Sequence, residues 1–170
     1  MADKKEMDAT KLLAEDHRKV EDLFEKFEKA SGHSAKEKLA HQICDELKIH
    51  AMIEEEIFYP AFEGKIDDDL YREAYVEHDG AKVLINDIVA SGPDDAFFEA
   101  KVTVLCEEIS HHVKEEERPK EGFFAQARDT GADMVALRDR MMARKQELMT
   151  KAENGGLPPA QLAAVHLEAA

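Results

Sequence analysis

Two short motifs in the chain place a glutamate four residues after a histidine, at His50 and Glu54 and again at His112 and Glu116. Four residues advance about 400° around an α-helix, so each pair projects from one helix face, with its members about 6 Å apart along the axis. An imidazole nitrogen and a carboxylate oxygen held at this spacing suit a shared metal ion. The motifs therefore indicate two halves of a candidate metal site.

Two more histidines, His17 and His78, lie within apolar stripes of helical spacing, as do the motif residues themselves. The stripes comprise Leu13, Val20, Phe24 and Phe27 in the first segment, Leu39, Ile43, Leu47 and Ile57 in the second, Ala74, Ala81, Ile85 and Ile88 in the third, and Phe98, Val102, Leu105, Ile109 and Phe123 in the fourth. A buried carboxylate is costly unless it is paired or bound to a cation. Neither glutamate stripe contains an Arg or Lys, which favours a metal ion as the partner.

Turn-forming residues divide the chain into five segments that we expect to be helical, at 9–31, 35–63, 68–90, 95–128 and 132–153. No segment shows sustained alternation of apolar and polar residues, so no sheet is expected. Short connections predict an all-α fold, an up-down-up-down antiparallel four-helix bundle with an additional C-terminal helix. We assign residues 1–153 to this domain and residues 154–170 to a Gly/Pro linker and short tail.

Residue counts from the turns place the four histidines at a similar height, because each residue of a helix rises about 1.5 Å. His17 and His50 differ by three residues in their distance from Gly32, and His50 and His78 are equally far from the second turn. His112 is six residues farther from the third turn than His78, a difference that a longer loop would absorb. A single histidine on an apolar face is usually a hydrogen-bonded core residue, but four at one level favour a metal site.

The composition limits the class of protein. A formal charge of -15 over 170 residues disfavours nucleic acid and anionic membranes as partners. No apolar run is long enough for a membrane span, and the first residues lack the apolar core of a signal peptide. Cys44 and Cys106 have no CxxC partner, which is typical of a reducing compartment. We expect a cytoplasmic protein that is a monomer or a weak homo-oligomer.

The donor set of imidazole and carboxylate, without thiolate, suits iron or manganese best and leaves zinc open. Six ligands are too many for one tetrahedral zinc. They suit two metal ions that each take two histidines and share Glu54 and Glu116 as bridges. Ferritin-like bundles carry Glu-x-x-His motifs, whereas this chain has His-x-x-x-Glu twice.

The chain resembles the hemerythrin-like, or HHE cation-binding, domain family over roughly residues 9–150. Four segments carry the resemblance: EDHRKVEDLFEKF around His17, HAMIEEEIFYP from His50 to Pro60, EHDGAKVLI around His78, and HVKEEERPKEGFF from His112 to Phe124. The resemblance implies a four-helix bundle with two iron ions, oxo- or hydroxo-bridged, that meets O2, H2O2 or NO. The family's ligand positions correspond to His17, His50, Glu54, His78, His112 and Glu116.

The chain departs from the oxygen-carrying hemerythrins at two positions. The carriers have a fifth histidine from an H-x-x-x-H motif where this chain has Lys82, and an H-x-x-x-x-D motif where it has His112-x-x-x-Glu116. One histidine fewer leaves a coordination position open, which favours chemistry over reversible carriage. Tyr59 or Tyr75 is a candidate to reach that position.

This departure favours an oxidoreductase that reacts with hydrogen peroxide, dioxygen or nitric oxide. The alternative is a protein that senses oxygen or nitric oxide, or buffers iron, without turnover. His111 projects about 100° away from its neighbour His112 and is not expected to be a ligand. Flanking carboxylates are expected to be solvated or to hydrogen-bond to ligands, namely Glu55, Glu56, Glu115 and Glu117.

Overall fold

The computed structural model describes residues 7–168, which form six α-helices and no strand. The helices are α1 (Ala9–Lys29), α2 (His33–Ile53), α3 (Asp68–Ser91), α4 (Phe98–Glu117), α5 (Phe123–Asp129) and α6 (Met134–Gly155). No helix within these residues combines the length and hydropathy that a membrane span requires. The prediction of an all-helical protein is confirmed.

The segment expected to be one helix over 35–63 changes its winding at the first motif glutamate. After α2 the chain forms a π-helical turn over Glu54–Phe58 and a 3₁₀ turn over Tyr59–Phe62. The backbone N–H of Tyr59 bonds to the carbonyl of Glu54, five residues earlier, as a π-turn requires. Apolar spacing does not distinguish such a turn from a regular helix, so the prediction of one continuous helix was wrong.

The helix expected over 95–128 is interrupted after Glu117. Arg118 is extended (φ -52°, ψ 125°), as expected for a residue before proline. The chain then turns back, and the short helix α5 begins after Gly122. The break carries Phe123 and Phe124 into the core, where they are 0 % and 3 % exposed.

Two apolar clusters lie on either side of the histidine level. One contains Leu13 of α1, Ile53 of α2, Ala74 of α3, and the aromatic residues of the π-turn and α5. The other contains Val20 of α1, Leu47 of α2, Ala81 of α3 and Leu105 of α4. Consecutive helices α1 to α3 meet the clusters in alternating order. This order favours the predicted up-down-up-down topology, which stays a prediction.

Helix α6 packs against the bundle through its buried residues Leu137, Met141 and Leu148, which belong to the first cluster. Two ion pairs fix it laterally. The Lys145 ammonium contacts the carboxylate of Asp16 on α1, and the Arg144 guanidinium donates to both oxygens of Glu56 at 2.7 and 3.1 Å. Helix α6 therefore supports the helices that carry the first two histidines.

The segment after α6, which we call the C-terminal strap (residues 157–168), lies across α3. The Asp79 carboxylate accepts hydrogen bonds from the backbone N–H groups of Ala163, Ala164 and Val165, at 2.8, 2.6 and 2.7 Å. Asn86, two turns further along α3, donates to the Ala160 carbonyl and accepts from its N–H. These bonds attach the strap beside His78.

Gly122 is required by close packing at the turn between α4 and α5. A Cβ atom there would lie 2.6 Å from the carbonyl oxygens of both Glu116 and Arg118. We expect Gly122→Ala to displace the end of α4 and to lower the free energy of unfolding by about 1–3 kcal/mol, measured by urea denaturation. Gly155→Ala is the control, because its Cβ meets no atom within 4 Å. Equal stability of the two variants would contradict this role of Gly122.

The strap depends on the charge of Asp79, since a carboxylate accepts all three N–H groups and an amide cannot. We expect Asp79→Asn to accelerate hydrogen exchange of the amides of residues 163–165 at least about tenfold, with little change elsewhere. Asp87→Asn is the matched control, because Asp87 lies on the same helix and its carboxylate pairs with Lys101 at the surface. Unchanged exchange in Asp79→Asn would show that other contacts hold the strap.

Candidate metal centre

Six polar side chains from the first four helices meet between the two apolar clusters. Each of α1 to α4 supplies one histidine, Glu54 begins the π-turn, and Glu116 lies near the end of α4. All six are at most 7 % exposed; they are His17, His50, Glu54, His78, His112 and Glu116. The structure thus brings together every residue that the sequence assigned to the site.

The four histidines form two pairs that face each other through Nε2. His17 and His50 approach to 3.1 Å between their Nε2 atoms, and His78 and His112 approach to the same distance. Glu54 Oε2 lies 3.2 Å from Nε2 of both His50 and His78. Glu54 therefore contacts one histidine of each pair.

Glu116 spans the two pairs in the same way. Its Oε2 lies 3.3 Å from His17 Nε2, and its Oε1 lies 3.6 Å from His112 Nε2. The geometry defines two groups of ligand atoms, each group within 4.8 Å: His17, His50, Glu54 and Glu116 in one, and Glu54, His78 and His112 in the other. Glu54 belongs to both groups, and Glu116 contacts one histidine of each pair.

Tyr59 is the tyrosine that reaches the centre. Its hydroxyl donates to Glu116 Oε1 at 2.8 Å and lies 3.2 Å from His78 Nε2 and 3.4 Å from His112 Nε2. The π-turn places it there, because on a regular α-helix Tyr59 and Glu54 would project about 140° apart. The Tyr75 hydroxyl instead contacts the Tyr71 hydroxyl at 3.4 Å.

Each histidine presents its Nδ1 to a carboxylate outside the centre. Nδ1 of His17 lies 2.6 Å from Glu117, that of His78 lies 2.9 Å from Glu55, that of His112 lies 2.6 Å from Glu77, and that of His50 lies 3.6 Å from Asp16. The first three contacts are hydrogen bonds, which fix the ring and direct Nε2 inward. The fourth is an ion-pair contact without a hydrogen bond.

These outer carboxylates follow a rule that the sequence alone did not reveal. Each lies next to a ligand on its own helix and contacts the histidine of the following helix, and Glu117 on α4 returns to α1. Asp16 and Glu77 were missed, although both directly precede a ligand histidine. A carboxylate adjacent to a ligand projects about 100° away from it, toward a neighbouring helix. Adjacency is therefore the signal that would have found them.

The electrostatics of the centre favour positive charge at the imidazoles. Burial lowers the pKa of His50, but the carboxylates of Glu54 and Asp16 outweigh burial and raise it to about 10. Burial also lowers the pKa of His78, but the carboxylates of Glu54 and Glu55 outweigh burial and raise this pKa to about 9. Burial raises the pKa of Glu54, yet its histidine neighbours hold it well below the usual range. A metal cation would supply the positive charge that the buried carboxylates favour, and the imidazoles would then stay neutral.

The carboxylate oxygens that face inward show that metal ions fit the centre. Glu54 Oε1 and Glu116 Oε2 are buried and have no hydrogen-bond partner among the described residues. A buried carboxylate oxygen without a donor is costly unless a cation coordinates it. Together with the imidazole Nε2 atoms, these oxygens form a donor set that suits iron or manganese.

Two lysines are buried near the centre, and neither contacts the motif glutamates. Lys82, at the position of the carriers' fifth histidine, donates to Glu55 and Asp79 at 2.9 and 3.2 Å. It therefore supports the outer carboxylates rather than the ligands. Lys48 on α2 is only 6 % exposed. Lys48 lies outside the apolar stripe of that helix and lines a cavity together with residues of α3 and the strap.

His111 lies at the surface, with 66 % of its side chain exposed. It contacts Glu77 at 3.3 Å and Glu115 at 3.8 Å, and it has no contact with the inner ligands. Glu56, two residues after Glu54, pairs with Arg144 on α6. These residues lie outside the centre.

The fold and the centre define an all-helical metal-binding domain with a histidine and carboxylate donor set. Residues 8–119 match the family model of the hemerythrin HHE cation-binding domain, and the chain belongs to this family. The fold is also similar to the crystal structure of a hemerythrin HHE cation-binding domain-containing protein from Mycobacterium kansasii. The TM-score is 0.72 at 22 % identity, over 89 % of this chain and 96 % of that chain.

A longer relative carries a similar region. A protein named DNA nickase, from Nostoc sp. (strain PCC 7120 / SAG 25.82 / UTEX 2576), is 29 % identical over 116 residues. The match spans 68 % of this chain but 33 % of that protein. The shared region therefore makes up about a third of the relative, whose name describes that protein as a whole.

The outer carboxylates should set the affinity of the centre for metal. We expect Glu77→Gln to weaken ferrous iron binding by roughly 10–100-fold, since it loses the charge that orients His112. Anaerobic competition with a chelator measures this. Glu73→Gln, an exposed change on the same helix, should bind iron like the parent protein. Equal weakening in both variants would assign the effect to net charge alone.

Proposed function

We propose that the centre holds two iron ions, one between His17 and His50 and the other between His78 and His112. The observation that carries the proposal is that Glu54 and Glu116 each contact one histidine of both pairs. A carboxylate shared in this way would help to hold both ions. The centre thereby provides more donor atoms than a single ion requires.

The two metal positions differ in their surroundings. The Tyr59 hydroxyl contacts His78 and His112, which form one pair, and it does not contact His17 or His50, which form the other. With two histidines and two shared carboxylates, the position between His17 and His50 has fewer protein ligands than the six that iron commonly accepts. This difference supports a site with a coordination position open to a small oxidant.

Hydrogen peroxide is the substrate that the arrangement favours. Its disproportionation reduces one peroxide to two water molecules and oxidises a second to dioxygen, so no external reductant is needed. A bound iron pair supplies the redox equivalents that this exchange requires. Dioxygen and nitric oxide are the other small oxidants that such a position admits.

The protein surroundings restrict water and hold a proton at the centre. Phe124 stacks parallel to the His17 ring at 5.7 Å, and Phe123 lies 4.8 Å from the Tyr59 ring. Burial, together with Glu116 and Glu54, raises the pKa of Tyr59 well above its ordinary value. The phenol therefore keeps its proton on Oη, directed at Glu116 Oε1, until a cation takes its place.

A second candidate is a protein that binds oxygen, nitric oxide or iron without turnover. The strap favours it, because the strap is bonded to Asp79, next to His78. A change at the ligand could then alter a surface that meets a partner. Such a sensor would show altered hydrogen exchange in the strap when its ligand binds, without consumption of the ligand.

We also propose a cytoplasmic location and a monomeric or weakly associating state, with no nucleic acid or membrane as partner. The free cysteines Cys44 and Cys106 support a reducing compartment. Burial raises the pKa of the Cys44 thiol to about 12, so this thiol stays protonated and unreactive. The net charge of -15 opposes binding to polyanions.

Metal counting and a peroxide assay test the proposal together. We expect protein purified without added metal to carry about two iron ions per chain and to consume hydrogen peroxide with release of dioxygen. His112→Ala combined with Glu116→Ala should lose iron and activity. His111→Ala, which removes the exposed neighbour, should retain both. Circular dichroism checks that each variant is folded, and Glu116→Gln replaces the double variant if that variant does not fold.

The outcomes separate the two candidates. Two irons without peroxide or nitric oxide consumption would exclude turnover and favour the binding protein. Absence of iron, with zinc or manganese in its place, would overturn the choice of metal. Equal activity in the double variant and the His111→Ala control would show that the measured activity does not come from this centre.

A further inference from the structure

A cavity of about 240 Å³ lies beside the metal centre, between α2, α3 and the C-terminal strap. Its walls are largely apolar and include Leu47, Ala51 and Ile85. His50 and His78 of the centre contribute to its lining, as do residues 158–161 of the strap. Unlike the centre, the cavity has the room and the lining for an organic molecule.

Lys48 lines this cavity and is 6 % exposed. Its ammonium group has no hydrogen bond and no ion pair within 4 Å among residues 7–168. Asp45 and Cys44 are close enough to feel its charge, but they are not in contact with it. Lysines are rarely buried unless they are paired, because an unpaired buried charge is costly.

The other charges at the cavity are already neutralised. Lys82 pairs with Glu55 and Asp79, and Glu56 is paired with Arg144 on α6. Glu55 also accepts the hydrogen bond from His78 Nδ1. Lys48 is therefore the cavity group whose charge is not compensated by a neighbouring side chain in the described part of the chain, and a bound anion would compensate it.

We propose that the cavity binds a small aliphatic carboxylate, with its carboxylate on Lys48 Nζ and its chain along the apolar wall. One ammonium provides one positive charge, which matches a carboxylate better than a phosphate. The cavity of about 240 Å³ has room for a short aliphatic chain, and hexanoate is a representative ligand of this class. The proposal does not depend on the metal in the centre.

Isothermal titration of the purified protein with hexanoate tests the proposal. We expect binding of one hexanoate per chain, weakened at least about tenfold in Lys48→Met, because the charged contact is lost. Lys48→Arg keeps the charge and should retain most of the affinity. Lys38→Met is the matched control, since Lys38 is exposed on the same helix. Lys48→Gln serves if the methionine variant does not fold.

Two ligands separate the roles of head group and chain. Acetate and 1-hexanol should each bind at least about tenfold more weakly than hexanoate, because one lacks the chain and the other the charge. Acetate binding as tightly as hexanoate would overturn the role of the apolar wall. Equal hexanoate binding by Lys48→Met and the parent protein, or no binding by the parent protein, would overturn the proposal.

Repeating the titration after removal of metal distinguishes the cavity from the centre. Hexanoate that sits on Lys48 binds equally well without metal. Binding that disappears with the metal and is insensitive to Lys48→Met would mean that the carboxylate coordinates the ion, which overturns the cavity site. A failure of iron or peroxide chemistry leaves this result unaffected, so the two proposals fail separately.

Discussion

The burial of two carboxylates in one polar layer is the constraint on which the rest of the structure depends. Glu54 and Glu116 are 0 % and 2 % exposed, and each retains an oxygen without a hydrogen bond. Such groups are tolerated in an apolar interior only when nearby positive charge compensates them. The four inward imidazoles provide the donors that let a metal ion be that charge. The apolar clusters on both sides then exclude the water that would otherwise solvate the layer.

A ring of outer carboxylates connects the helices around this layer. Asp16 of α1 faces His50 of α2, Glu55 of the π-turn faces His78 of α3, Glu77 of α3 faces His112 of α4, and Glu117 of α4 faces His17 of α1. Each of these carboxylates thus contacts the histidine of the next helix, and the last returns to the first; three of the four contacts are hydrogen bonds. Because the hydrogen-bonded rings cannot rotate independently of these partners, a shift of one helix disturbs the ligand on its neighbour. The weakest contact, at His50, is also the one where α6 intervenes, through the Lys145 ammonium on Asp16.

The meeting of the four histidines and two glutamates in one interior layer was predictable from the sequence, because helical periodicity fixes which side chains share a face. The all-helical class follows from the same pattern, whereas the family was indicated by the resemblance of the four histidine-containing segments. What escaped prediction depends on backbone winding or on contacts distant in sequence. The π-turn at Glu54–Phe58 preserves the apolar spacing, so nothing in the pattern reveals it. The burial of Lys48 and the strap's attachment to Asp79 depend on elements far along the chain. Pro119 is a local signal for the end of α4, and the longer helix assigned there overlooked it.

The surroundings of the centre bear on which of its groups a small molecule can meet. The Tyr59 hydroxyl lies against both glutamates, 2.8 Å from Glu116 Oε1 and 3.3 Å from Glu54 Oε2. Phe124 stacks on His17. His50 and His78, the two histidines that Glu54 joins, also line the Lys48 cavity, so they are the groups of the centre that a molecule in the cavity lies beside. Residues 158–161 of the strap line the same cavity, so the bonds that attach the strap to α3 help to set the shape of the cavity.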